Sequence, residues 1–294
     1  MSDLDRLIKR GEALLERVEA LLPPAPPPVD WEASIAFRWR KTSRAGFIQP
    51  VRNVHRIRLS DLQGVDSQKA LIEQNTRQFV EGRTANNALL TGARGTGKSS
   101  IVKAVLNKFH SQGLRLIEVE KHDLVDLPDI VDQVAGRRER FVLFCDDLSF
   151  ELSEAPGYKA LKVVLDGSIA ATSENLLIYA TSNRRHLMPE YMQENLETKY
   201  LGDEIHPGET VEEKISLSER FGLWVSFYPF DQDAYLDIVA HWLRELGCPE
   251  TGIRQCRQEA LQWALLRGSR SGRVAWQFAR DYAGRSAGDG KTRR

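Results

Sequence analysis

Residues 88–102 read ALLTGARGTGKSSIV. An apolar run ends at Thr91, glycines follow at 92, 95 and 97, and then come Lys98, Ser99 and Ser100. Glycine tolerates positive φ and lets backbone N–H groups approach an anion closely. The spacing G-x-x-x-x-G-K-[ST] is that of a phosphate cradle. An ordinary Gly-rich turn is the plain alternative, but an apolar strand before the loop and a helix opening at Lys98 favour the cradle. In that reading Gly92, Gly95, Thr96, Gly97, Lys98, Ser99 and Ser100 surround the phosphates, which also sit at a helix N-terminus. The Lys98 ammonium reaches the β- and γ-phosphates, and the Ser99 hydroxyl is offered to Mg²⁺.

A cradle of this kind predicts an acid at the tip of a neighbouring strand, to hold the metal through water. Residues 140–151, RFVLFCDDLSFE, supply two, Asp146 and Asp147, directly after an apolar run. Adjacent carboxylates repel one another unless a cation lies between them; the alternative is that they cap the next helix. Asp146 is expected to orient Mg²⁺ and Asp147 to polarise the attacking water.

Outward from these motifs the chain alternates between two periods. Short apolar strands are expected at 87–91, 114–119, 141–145, 176–180 and 223–228, with helical spacing over 66–81 and between the later strands. Strands with little alternation, joined by helices, indicate a parallel sheet covered on both faces. After Pro229 the strands stop, and helical patterns at 231–246, 253–266 and 272–283 form a smaller all-helical domain. No internal repeat is seen.

The boundaries expected are an N-terminal amphipathic helix (1–22), a proline-rich linker (23–30), a basic and aromatic entry segment (31–58), an α/β domain (59–230), a helical domain (231–284) and a flexible tail (285–294). A short amphipathic helix is marginal alone in water, so the first must dock on its own domain, a copy of itself or a partner. Residues 33–60 carry seven Arg or Lys, no acid, and the aromatics Phe37, Trp39 and Phe47. Such interleaving can bind single-stranded nucleic acid by charge and stacking. It also fits a segment whose aromatics pack on the core while its arginines stay wet. Residues 190–213 hold eight acids against Lys199, which reads as a solvated loop or hairpin, or a contact for a basic partner.

Composition narrows the classes. The 294 residues are 41 % apolar, and Lys+Arg and Asp+Glu balance at 41 each, so bulk charge argues for neither nucleic acid nor a membrane surface. No apolar stretch approaches the roughly 20 residues of a span, and the first residues lack the apolar core of a signal peptide. Cys145, Cys248 and Cys256 have no metal-ligand spacing and suit a reducing cytoplasm.

Taken together these residues resemble the AAA+ superfamily of P-loop ATPases over about residues 59–283. LSDLQGVDSQKALI (59–72) resembles its entry segment, which implies adenine contacts around Leu62, Gly64 and Val65. LLIYATSN puts Asn183 at the end of the fourth strand, where sensor 1 sits; capping a turn is the alternative. SLSERFGLWVSF places Arg220 like an arginine finger reaching the neighbouring subunit's γ-phosphate, unless it merely pairs with Glu219 or an acidic surface. GSRSGRVAWQF puts Arg273 at sensor 2, with Arg270 competing for the role. The resemblance implies a parallel five-stranded sheet sandwiched by helices, with a further strand lying between the cradle strand and the acidic strand, plus a small helical lid. DDLSFE, TSNRRHL and LSERFGLW resemble, more narrowly, a family of short single-module bacterial AAA+ proteins of unassigned role. The commoner acidic pair in the superfamily is Asp-Glu. Asp147 is about one methylene shorter, so turnover could be slow or Glu151 could share the task.

The resemblance thus implies ATP and Mg²⁺ as ligands, a homo-oligomer with Arg220 acting in trans, catalytic roles for Lys98, Asp147, Asn183, Arg220 and Arg273, and metal contacts from Ser99 and Asp146. Two function classes stay open. One is an oligomeric ATPase remodelling a protein or nucleoprotein client; no aromatic-hydrophobic-Gly pore loop follows the second strand, which disfavours threading. The other is a slow nucleotide-gated switch or helicase-loader-like module contacting nucleic acid through residues 33–60.

Overall fold

Runs of apolar residues too short for helices and too uniform for a one-sided sheet come together here as a single covered sheet. The computed structural model describes residues 5, 8–14, 17, 28–42, 46–149, 155–166, 174–183, 199–201, 204–206 and 217–289. The linker residues 23–27, Glu151 and most of the acidic run 190–213 lie outside them. Residues 8–14 are helical (α1) and exposed throughout.

The strands are β1 (Ala36–Lys41), β2 (Gly46–Pro50), β3 (Ala88–Gly92), β4 (Leu114–Glu118), β5 (Arg140–Cys145), β6 (Leu176–Ser182) and β9 (Leu223–Phe227), in the order β2-β1-β4-β5-β6-β3-β9. A separate antiparallel pair joins β7 (Lys199–Leu201) and β8 (Glu204–His206). All pairs in the main sheet are parallel except β1 with β2. The sheet therefore has seven strands where five were expected. The five foreseen strands occur close to their expected limits, and the strand expected between the cradle strand and the acidic strand is β6. The two additional strands come from the basic and aromatic segment.

That segment shows why. Side chains alternate across a strand, so in β1 Phe37 and Trp39 turn inward and are fully buried while Arg38 and Arg40 turn out. β1 covers the edge of β4. Across that pairing Arg38 Nε donates to Glu118 at 2.6 Å and Arg40 Nη1 to Glu120 at 3.0 Å. Lys41 Nζ lies 2.7 Å from Asp126, which also accepts from Trp39 Nε1 at 2.8 Å. The hydrogen bond to Asp126 holds the Lys41 ammonium pKa above its ordinary value.

Helices cover both faces of the sheet. On one, Leu89, Ile117, Leu143 and Ile178 meet α4 (Leu127–Val134) and α5 (Ala155–Asp166). On the other, Leu90, Leu116, Val142 and Tyr179 meet α2 (Asp66–Val80) and α3 (Lys98–Phe109). The helical domain is α6 (Gln232–Glu245), α7 (Glu250–Gln255), α8 (Arg257–Leu266) and α9 (Gly272–Asp289), around a core of Tyr235, Leu243, Ala260, Phe278 and neighbours. α9 continues to Asp289, past the 284 boundary expected for this domain. Among the described residues no helix is long and apolar enough to cross a membrane.

Candidate functional site

β3 delivers the chain to the loop at its C-terminal end. Gly92, Gly95 and Gly97 all have positive φ, at 130°, 76° and 105°. Two of them also admit no side chain. A Cβ on Gly92 would lie 2.0 Å from the Phe227 carbonyl oxygen of β9, and one on Gly95 would lie 2.8 Å from Ser271 Oγ of the helical domain. Thr96 Oγ1 donates to the Ala93 carbonyl at 2.8 Å and fixes the loop from within. α3 then opens at Lys98 behind the left-handed Gly97, so its first N–H groups face the loop's concavity.

Lys98 is 6 % exposed. Its ammonium donates to the Gly92 and Ala93 carbonyls at 2.7 and 2.8 Å and to Asn183 Oδ1 at 2.9 Å. Burial lowers its pKa, opposed by Asp146 and Asp147, with Arg273 and Arg94 adding to the lowering. Among the described residues this buried ammonium touches only loop carbonyls and one amide, with no anion in direct contact. It is placed to exchange those partners for phosphate oxygens.

Ser99 Oγ donates to Asp146 Oδ1 at 2.6 Å. The same oxygen accepts from Thr181 Oγ1 at 2.6 Å, and Thr181 Oγ1 accepts from the Asp147 N–H at 2.9 Å. One hydroxyl on β6 thus pins both acids at the end of β5. Asp147 is the only non-glycine with positive φ (55°) among the described residues; such a conformation costs on the order of 1–3 kcal/mol and clusters at functional sites. Its carboxylate accepts from Asn183 Nδ2 and lies 3.9 Å from Arg94 Nη2. Because Asn183 accepts from Lys98 and donates to Asp147, its amide orientation is fixed by the pair.

The remaining expected residues surround this cluster or lie apart from it. Ser100 is half-buried on the first turn of α3. Leu62 and Val65 are buried against the α2–α3 face, and Lys69 Nζ donates to the Leu62 carbonyl at 2.6 Å. A Cβ on Gly64 would lie 3.2 Å from Phe230. Phe230 in turn lines a cleft of about 400 Å³ with Ala93, Arg94, Thr96, Arg270 and Ser271. The 62–65 segment and the loop therefore border one space between the two domains. Gly272 N–H donates to the Gly95 carbonyl at 2.9 Å, tying the start of α9 to the loop. Arg270 lines the cleft and Arg273 stands beside Gly95, so both sensor candidates border the site. Arg220 is held by Asp166, the last residue of α5, on a turn whose Ser218 carbonyl accepts from Trp224 Nε1 at 2.8 Å.

Reading the sequence missed Thr181, Arg94, Phe230 and Ser271. Thr181 is two residues before Asn183 and Arg94 sits inside the loop motif, so their positions were visible. Their partners were not.

The oxygen donors Ser99 and Asp146 suit Mg²⁺, which is typically held by one or two protein ligands with water and phosphate completing the octahedron. Among the described residues no group of three or more His, Cys, Asp or Glu converges, so a cation here would draw its other ligands from solvent and nucleotide.

A family model described as "Protein of unknown function (DUF815)" matches residues 32–286. No match was found among curated proteins. Of solved structures, the FIGL-1 AAA domain in complex with ADP is 19 % identical with TM-score 0.52, over 79 % of this chain and 74 % of that one. A RuvB variant of Thermotoga maritima is 15 % identical with TM-score 0.48, over 76 % and 63 %. The ORC1 protein of Aeropyrum pernix in complex with DNA is 14 % identical with TM-score 0.48, over 73 % and 58 %. This chain thus spans 63 % of the RuvB chain and 58 % of the ORC1 chain. At 19 % identity the likeness to the FIGL-1 AAA domain speaks for the fold alone, a P-loop fold of the AAA type.

Proposed function

The chain belongs to the DUF815 family, and from that premise and the site geometry we propose that it is an ATPase binding Mg·ATP in the cleft between its two domains and hydrolysing it to ADP and phosphate. The observation that carries this reading is the buried Lys98 ammonium, shared between its own loop and Asn183, beside the Ser99–Asp146 pair.

In this mechanism the loop amides and the N-terminus of α3 receive the phosphates, and Lys98 moves its hydrogen bonds from Gly92 and Ala93 to phosphate oxygens. Ser99 and, through water, Asp146 would hold Mg²⁺, which would neutralise charge on the β- and γ-phosphates. Asp147 accepts a hydrogen bond from the attacking water, and Asn183 keeps that carboxylate aimed while touching Lys98. Leu62, Gly64 and Val65 flank the adenine. Arg273 or Arg270 transmits the state of the γ-phosphate to the helical domain, whose rotation is the output on a protein or nucleoprotein client. Arg220 serves a neighbouring copy in a homo-oligomer and must leave Asp166 to do so. The free cysteines fit a reducing compartment, the cytoplasm.

A second reading, a slow nucleotide-gated switch, is favoured by one observation. Asp147 is short and already engaged by Asn183 and Arg94, so water activation is weakly driven.

Calorimetry with Mg·ATP tests the first step. Wild-type protein should bind, and Lys98→Ala should lose at least tenfold in affinity; equal binding by both would end the proposal. Asp147→Asn should keep binding and lose on the order of 10²–10⁴ in turnover. Turnover unaffected by that change would leave binding intact but remove Asp147 from the chemistry.

A further inference from the structure

The basic residues of the entry segment fall into two groups. Arg38, Arg40, Lys41 and Arg58 each face a carboxylate of their own chain. Arg52 and Arg56 do not: no carboxylate among the described residues pairs with either, and both are exposed. They belong to the coil 51–57, whose Val51, Val54 and Ile57 pack on the α2–α3 face of the core. Arg52, Asn53, His55 and Arg56 consequently face solvent.

The coil is fastened to α3. Asn107 Nδ2 donates to the carbonyls of His55 and Ile57, both at 2.8 Å, on either side of Arg56. Lys103 lies one turn before Asn107 on the same helix face and likewise pairs with no carboxylate among the described residues. Asn107 thus brings the coil that carries the exposed Arg52, His55 and Arg56 against the helix that carries the half-buried Lys103, so the three cations of this patch lie on adjoining elements.

We propose that this patch is a docking surface for the phosphate backbone of duplex nucleic acid. Protein–protein interfaces concentrate their energy in buried aromatic and apolar anchors, and the outward face of this coil presents none. Single strands are gripped by stacking on exposed aromatics, whereas Phe37 and Trp39 are buried at 0 % and 2 % exposure and Phe47 is half-buried on β2. What remains is charge alone, which suits a regular polyanion with condensed counterions. Arg52 and Arg56 are at most about 14 Å apart along an extended chain, roughly the axial rise of four base pairs at about 3.4 Å each. The inference stands apart from the ATP site, since none of these residues touches it.

Fluorescence anisotropy of the full chain without nucleotide, using a labelled 30-bp duplex and a single strand of equal length between 50 and 200 mM KCl, tests it. Three contacts predict a slope of log K against log salt near −2.7 for duplex, with the duplex preferred over the single strand. The triple variant Arg52→Ala, Arg56→Ala, Lys103→Ala should lose at least tenfold at low salt and flatten the slope, with an unchanged thermal midpoint. Arg38→Ala with Arg40→Ala should bind as wild type. Absence of duplex binding, equal binding by the triple variant, preference for the single strand, or equal displacement by polyglutamate, which would assign an acidic protein instead, each overturns the proposal. Lys98→Ala should bind duplex normally, so failure of the ATP reading and failure of this one are distinguishable.

Discussion

At the scale of single residues, Lys98 is the group on which chemistry and pH meet. Its pKa in the free protein lies below 10.5 because burial outweighs the two nearby aspartates. An anion brought against the ammonium raises that value again. Between the free and the bound pKa, binding of ATP takes up a proton, so affinity falls as pH rises through that window, by at most tenfold per unit. Calorimetry in two buffers of different ionisation enthalpy should show net proton uptake in the alkaline range. Lys98→Arg keeps its charge above pH 12, and whatever binding it retains should lose this dependence. Proton uptake absent from wild type would remove Lys98 from the phosphate site. The contiguous part of the site, from Gly92 to Ser100 and at Asp146 and Asp147, was legible because the loop's chemistry is written in adjacent residues. Thr181 pinning both acids was not, because a threonine in an apolar strand gives no sign of what lies across the sheet.

At the scale of elements, the β1–β2 hairpin carries more than its length suggests. Trp39 is 2 % exposed and its ring nitrogen donates to Asp126. Trp39→Ala should cost about 3–5 kcal/mol, read as a lower urea midpoint with unchanged slope. Arg38→Ala, which removes only an exposed ion pair, should cost about 0–1 kcal/mol. A tryptophan variant as stable as wild type would mean that the hairpin is not part of the cooperative unit. The five inner strands were readable because both their faces are buried, leaving nearly unbroken apolar runs. The packing of the segment's aromatics on the core was readable, but its two strands were not assigned although FRWR alternates with period two, because the sequence does not show which strand edge they cover. The carboxylates that decide the matter, Glu118 and Glu120, are 80 residues further along.

At the scale of the whole molecule, the trans role proposed for Arg220 would separate a lone subunit from an assembly. Fingers of this kind contribute on the order of 10³–10⁵ in rate. Asp166 sits at the last position of α5, where a carboxylate opposes the helix dipole, and Arg220 neutralises it. Specific ATPase activity should therefore rise steeply with protein concentration. Mixing Asp147→Asn subunits, which keep the arginine, with Arg220→Ala subunits, which keep the acid, should restore activity that neither has alone. No recovery on mixing, with oligomers demonstrably formed, would place the arginine's action within its own subunit. The order of the strands also has a temporal side. β1 pairs with β4, so Ala36 meets Leu116 across the sheet, and at about 5–20 residues per second of synthesis the early strand waits about 4–16 s for its partner to leave the ribosome. Through that interval its two aromatic side chains are wet and adhesive, which leaves the nascent chain open to sticking to its neighbours until the later strand arrives.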